Sequence, residues 1–189
     1  QPHYPFEFHQ ADALAFLAAM LEGVEDRGFA FIHASPPCQR YSSLKRPGWE
    51  KYPDHLIAEV RGYFAALGMA GVIENVEQAP LRPDLMLCGS MFGLEIKRHR
   101  LFEFVGAPVP FPPSSCHHEW ANPQAPFLVA GHGGGWALTH RNYKNLKHAQ
   151  DLMGMPWVPN RRGITEAIPP AYTEWIGSQL MSQLEAGRL

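Results

Sequence analysis

Two short segments of the chain combine residue types that can carry out covalent chemistry. Ser35-Pro36-Pro37-Cys38-Gln39 presents a thiol behind two prolines, whose fixed φ leaves the sulfur little conformational freedom. Glu74-Asn75-Val76 places a carboxylate and an amide at the end of an apolar run, where such groups are rare unless paired or functional. Taken alone, a cysteine is more often a small buried hydrophobe than a nucleophile. A lone glutamate is usually solvated or ion-paired. The conjunction is rarer than either part, and a thiol nucleophile beside a carboxylic acid makes a workable active site.

Other motifs fail on inspection. Gly131-His132-Gly133-Gly134-Gly135 resembles an esterase oxyanion segment, but the chain has no Gly-x-Ser-x-Gly elbow, so a hydrolase is excluded. The same glycines do not complete Gly-x-Gly-x-x-Gly, because Trp136 holds the last position, and there is no P-loop. Cys116-His117-His118, with His132 and His140, hints at zinc. Adjacent ligands strain a tetrahedral site, however, and no second spaced pair follows, so no metal is expected.

The elements that must position Cys38 and Glu74 can be read from hydrophobic pattern. Phe29-Ala30-Phe31-Ile32 is a strand that stops at the proline turn, residues 55–67 form a helix, and Gly71 to Val76 form a second strand. Strand, helix, strand predicts a parallel α/β sheet, whose ligand crevice lies beyond the carboxyl ends of the strands. Both reactive segments fall at such ends. A helix over residues 12–21 begins at Asp12, and Leu101 to Val105 form a further strand. Residues 106–136 are rich in Pro and Gly with little periodicity, and a last helix over 170–184 starts on Pro170.

Composition bounds the partners. The 189 residues, 46% hydrophobic and 18% charged, suffice for one domain with a small appended lobe and exclude a disordered chain. Sixteen basic against eighteen acidic residues give a net charge of −2, which excludes a highly basic coat but allows a local basic cleft. Candidate clusters are Lys45-Arg46, Lys97-Arg98-Arg100, Arg141-Lys144-Lys147 and Arg161-Arg162. Three widely spaced cysteines argue for a reducing compartment. No run of about 18 apolar residues suggests a membrane span, and Gln1 to Phe6 lack signal-peptide features, so a cytoplasmic location is expected. The chain begins without Met, which reads as a fragment.

Four segments carry a family resemblance. Ser35-Pro36-Pro37-Cys38-Gln39 with Tyr41-Ser42 looks like the catalytic loop of DNA (cytosine-5-)-methyltransferases, and Glu74-Asn75-Val76 like their second catalytic motif. Lys97-Arg98-His99-Arg100-Leu101-Phe102 resembles the family's arginine motif, and Ala167-Ile168-Pro169-Pro170-Ala171-Tyr172 its final motif. Order and spacing are similar to the compact forms of bacteriophages, from about Asp12 to the last helix. The resemblance implies a Rossmann-like class I methyltransferase core with a mostly parallel α/β sheet over residues 1–105 and 165–189. A small irregular target-recognition lobe would occupy 106–164.

The resemblance further implies methyl transfer from S-adenosylmethionine to C5 of a cytosine flipped out of double-stranded DNA, in a bacterial host cell. Cys38 would add to C6, Glu74 would protonate N3, and Arg98 and Arg100 would complete the catalytic set. A desolvated strand end should raise the Glu74 pKa, whereas Arg40, Arg98 or Arg100 should stabilise a Cys38 thiolate. Asp12, Pro36, Pro37, Ile168 and Pro169 would line the cofactor site. Gln39, Arg40, Ser42, Lys45, Arg46 and Asn75 would meet DNA, with a flap from Arg40 to Tyr52 closing over it.

One departure from the family is large. Its members begin with a strand and a Phe-x-Gly-x-Gly loop that cradles the cofactor, and this sequence has neither. Weak cofactor binding and an exposed edge strand are expected, with a missing N-terminal segment or a second chain as the complement. Two alternatives stand beside the enzyme: a catalytically incomplete DNA-binding or regulatory chain, and transfer of a modified one-carbon group to cytosine C5.

Overall fold

The computed structural model describes residues 7–25, 28–42, 48, 51–117, 127–129 and 141–189. Helix α1 (Ala13–Leu21) starts where the Asp12 carboxylate accepts hydrogen bonds from the N–H groups of Leu14 and Ala15, two donors that a helix start otherwise leaves open. Strand β1 (Phe31–Ala34) leads through the proline turn toward α2 (Leu56–Leu67), which Gly68 terminates in the left-handed conformation at φ 63°. Strand β2 (Ala70–Asn75) is buried along its whole length. It runs parallel to β1, with Phe31 beside Ala70 and Ala34 beside Ile73, so the expected strand–helix–strand unit is present.

The mostly parallel sheet is not. Strands β3 (Leu85–Leu87) and β4 (Arg100–Val105) complete a mixed sheet of order β1-β2-β4-β3, in which β4 is antiparallel to both of its neighbours. The Rossmann-like expectation therefore holds only as a mixed α/β fold with one parallel pair. Connection length explains the correction. Adjacent parallel strands need a crossover of a dozen or more residues, usually a helix. Residues 76–84 hold no helix and carry the chain to the far edge, from which residues 88–99 return it antiparallel into the gap beside β2.

The two-residue alternation of the strands divides the core. Val72, Phe102 and Phe104 point to one face, where Tyr172, Ile176 and Leu180 of α5 (Pro170–Glu185) cover them. Ile73 points to the other, against Leu17 of α1 and Ile57, Val60 and Phe64 of α2. Gly71 lies on that second face, and a Cβ there would sit 2.0 Å from the Phe64 ring, so only glycine lets α2 approach β2 this closely.

A second apolar cluster gathers Phe127, Val129, Tyr143, Ala149, Leu152, Met153 and Ile164 around Ile96. It is built from a two-stranded pair, β5 (Phe127–Leu128) with β6 (Arg141–Asn142), and from α3 (Leu146–Met153) and α4 (Arg161–Glu166). Asn145 and Asn160 cap the two helices through their side chains. Among the described residues β1 pairs with β2 alone, as expected of an exposed edge, and Leu21, Val24 and Phe29 are exposed. No helix among the described residues is long and apolar enough to cross a membrane.

Candidate active site

Parallel pairing of β1 with β2 puts their carboxyl ends side by side, which brings Ser35 and the proline turn next to Glu74. The Ser35 side chain thus comes close enough to pull the Glu74 pKa down. Asn75, almost fully buried, fastens the turn. Its Nδ2 donates to the Pro36 carbonyl at 2.9 Å, and its Oδ1 accepts from the Val76 N–H at 2.9 Å. Expected as a DNA contact, Asn75 thus has both ends of its amide engaged, Nδ2 across to the proline turn and Oδ1 within its own segment. Beyond the turn, the Cys38 carbonyl accepts from the N–H groups of Tyr41 and Ser42, so a tight turn follows the thiol directly.

Antiparallel pairing supplies the cation. Glu74 lies opposite Phe102, and Arg100, two residues before Phe102, shares its face of the sheet. Such diagonal neighbours lie within reach of long side chains. The Arg100 Nε stands 3.0 Å from the Glu74 Oε1. Glu74 is only 6% exposed, and burial raises its pKa against the pull of Arg100, of the Ser35 hydrogen bond and of Arg98. The net shift of the carboxyl is upward, the direction expected of a desolvated strand end.

Cys38 departs from expectation. Burial raises its thiol pKa, Arg100 lowers it, Glu74 raises it again, and Arg98 adds a smaller downward pull, with a net upward shift. The two arginines act in the expected direction and are outweighed, so the thiol rests protonated. Arg40 is paired elsewhere, its Nη2 lying 3.1 Å from the Asp54 Oδ2, while the Tyr41 hydroxyl donates to the Asp54 carbonyl at 2.8 Å. Alkylation of Cys38 should therefore accelerate with pH beyond the ordinary thiol range. Glu74→Gln should speed the reaction at a given pH and Arg100→Gln should slow it, as followed by mass spectrometry of the Cys38 peptide. A wild-type Cys38 that titrates below an ordinary thiol would contradict this reading of its surroundings.

Arg98 is fully inside. It donates to the carbonyls of Val129 at 2.6 Å and Thr165 at 2.9 Å and also to that of Ala167, while its own carbonyl accepts from the Tyr172 hydroxyl at 2.7 Å. Burial brings its pKa down to about 9, which leaves it charged at neutral pH. It clasps the lobe, the approach to α5 and α5 itself to the start of β4, and reaches Cys38 and Glu74 through its field rather than by contact. Gln39 adds a buried Oε1 with no hydrogen-bond partner among the described residues, an acceptor that a donor on a bound molecule would satisfy.

Several expected contacts lie apart from this group. Lys45 and Arg46 are outside the described residues, as are His118, His132, His140, the glycines at 131–135 and most of the proposed flap. Lys147 pairs with Asp151 and Arg162 with Glu166 along their own helices, the behaviour of solvated faces. Of the residues expected to hold S-adenosylmethionine, Asp12 commits its carboxylate to the α1 N-terminus and Pro36 its carbonyl to Asn75. Pro37 is exposed, Ile168 half-buried and Pro169 buried at the start of α5. Sequence reasoning missed Ser35 as a partner of Glu74, although its place in the same pentapeptide was a usable signal. Comparison with protein-family models, curated proteins and solved structures finds no match to this chain in any of the three.

Proposed function

We propose that the chain is the base-activating part of a DNA cytosine-5 methyltransferase. The observation that carries the reading is the convergence of Cys38, Glu74 and Arg100 at adjoining strand ends, with burial raising the pKa of the carboxyl. The Cys38 sulfur, on losing its proton, forms a bond to C6 of an extruded cytosine, and Glu74 delivers a proton to N3 as the ring accepts the electron pair. That converts C5 from a poor nucleophile into an enamine carbon. Arg100 holds the Glu74 carboxylate once its proton has gone. S-adenosylmethionine, when bound, would supply the electrophilic methyl group.

The activation can be tested without the donor. An activated C5 takes up a solvent proton, loses its original hydrogen and expels the Cys38 sulfur, restoring the aromatic ring with its hydrogen exchanged. Duplex DNA tritiated at cytosine C5 should release tritium to water in the presence of this protein, and added S-adenosylmethionine at high concentration should give 5-methylcytosine. Release no faster than in protein-free controls, with no 5-methylcytosine formed, would overturn the proposal.

A further inference from the structure

We propose that Cys88, His99 and Cys116 form a structural zinc site that staples the turn after β3, the start of β4 and the segment leading into the lobe. The residues are far apart in sequence, and their ligand atoms all lie within 4.8 Å of one another. The Cys116 Sγ stands 3.4 Å from the His99 Nε2. A tetrahedral zinc with bonds of about 2.3 Å to sulfur and 2.0 Å to nitrogen needs ligand atoms roughly 3.5–3.8 Å apart, so closing the triangle takes only a small adjustment.

The surroundings are those of a metal-binding cluster. The other ring nitrogen of His99, Nδ1, lies 3.0 Å from the Glu77 Oε1, the carboxylate–histidine relay that fixes tautomer and ring orientation for metal-bound histidines. The buried Cys88 thiol donates only a weak 4.0 Å bond to the Ile96 carbonyl, which metal binding would replace. The Ser90 hydroxyl also approaches the Cys116 Sγ at 3.7 Å and accepts from the His117 N–H at 3.2 Å. The Ser90 donor at Cys116 offsets part of the thiolate charge there. His99 separates Arg98 from Arg100, so a metal there would set the backbone that aims both arginines. The three side chains leave a fourth position for a further donor. No metal was expected from sequence because the ligands were sought among near neighbours such as Cys116-His117-His118; the fold instead collects Cys116 with two residues from the 88–99 connection.

The test measures metal content and cobalt(II) spectra of the full chain. Purified without chelator, the protein should hold one equivalent of zinc. Cobalt in its place should give visible ligand-field bands of tetrahedral intensity and thiolate charge-transfer absorption in the near ultraviolet. Cys88→Ser and Cys116→Ser should each lose the stoichiometric metal, Glu77→Gln should weaken cobalt affinity about 10- to 100-fold, and Cys38→Ser and His117→Ala should retain it. The wild-type cobalt spectrum keeps the test decisive if a ligand variant fails to fold. Folded wild-type protein that takes up neither metal would overturn the site. So would metal retained in both serine variants, or a Cys88–Cys116 disulfide in the protein isolated under reducing conditions.

Discussion

Cys38→Ala should release no tritium from DNA labelled at cytosine C5, a loss of at least about 10^3-fold, because no other group in the assembled site can form the bond to C6. DNA affinity should stay within a few fold, since the thiol contributes little to binding. Duplex DNA carrying 5-fluorocytosine gives the same statement a covalent readout. With S-adenosylmethionine present, methylation at C5 leaves fluorine where a proton should depart, and wild-type protein should remain bonded through Cys38. Glu74→Gln should slow exchange by about 10^2- to 10^4-fold, because the amide keeps the shape and cannot deliver a proton to N3. Exchange or adduct formation that survives Cys38→Ala would remove this residue from the nucleophile's role, whatever the fate of the Glu74 variant.

The parts of the fold legible in the sequence are those where one local signal dominates. Asp12 marks a helix start because a carboxylate can satisfy free N–H groups, and it does so for Leu14 and Ala15. The buried runs of β1 and β2 and the helix between them dictate a parallel pair. Beyond Asn75 the strand over 101–105 and the last helix are still legible, but the direction of the sheet is not. Leu85 to Leu87 is too short to stand out beside its Pro and Arg neighbours, and the direction of β4 depends on how far nine helix-free residues can carry the chain. Helices α3 and α4 went unread because their apolar positions serve a small separate core around Ile96 rather than the sheet.

The site was legible as a pairing of types and only in part as an electrical environment, since the upward shift of Glu74 follows from its place and that of Cys38 does not. Cys38 and Glu74 could be matched from their positions at strand ends, whereas the sign of the thiol shift depends on burial outweighing two arginines, which no spacing reveals. Glu103 sharpens the point. It too is a carboxylate in an apolar strand, in Leu101-Phe102-Glu103-Phe104-Val105, and the rule that singles out Glu74 applies to it equally. Being an odd-numbered neighbour, it faces α2 rather than α5 and has a structural partner there.

That partner makes the largest stability prediction. The Glu103 side chain is 0% exposed, and Arg61 of α2 donates to its Oε2 through Nη2 at 2.8 Å and to its Oε1 through Nε, while the Arg82 N–H adds a bond at 2.9 Å. Burial alone would raise the Glu103 pKa; the Arg61 hydrogen bonds, the Arg82 N–H and the two positive charges reverse that, and the net shift is downward. A carboxyl whose folded pKa is depressed contributes stability above its unfolded value and loses it as pH falls through the folded one. Arg61→Met should destabilise the fold at neutral pH by about 3–5 kcal/mol, since a buried carboxylate is left without its fork. The size of the loss should also depend on pH. Without Arg61 only the Arg82 N–H and charge oppose burial, so the Glu103 pKa rises relative to wild type, and the deficit of the variant should be smallest in mild acid and grow as pH rises. Urea unfolding of wild type and Arg61→Met across that range measures both effects. A stability difference that stays constant from mild acid to neutrality would show that the loss comes from packing of the Arg61 stem and not from the charge it holds against Glu103.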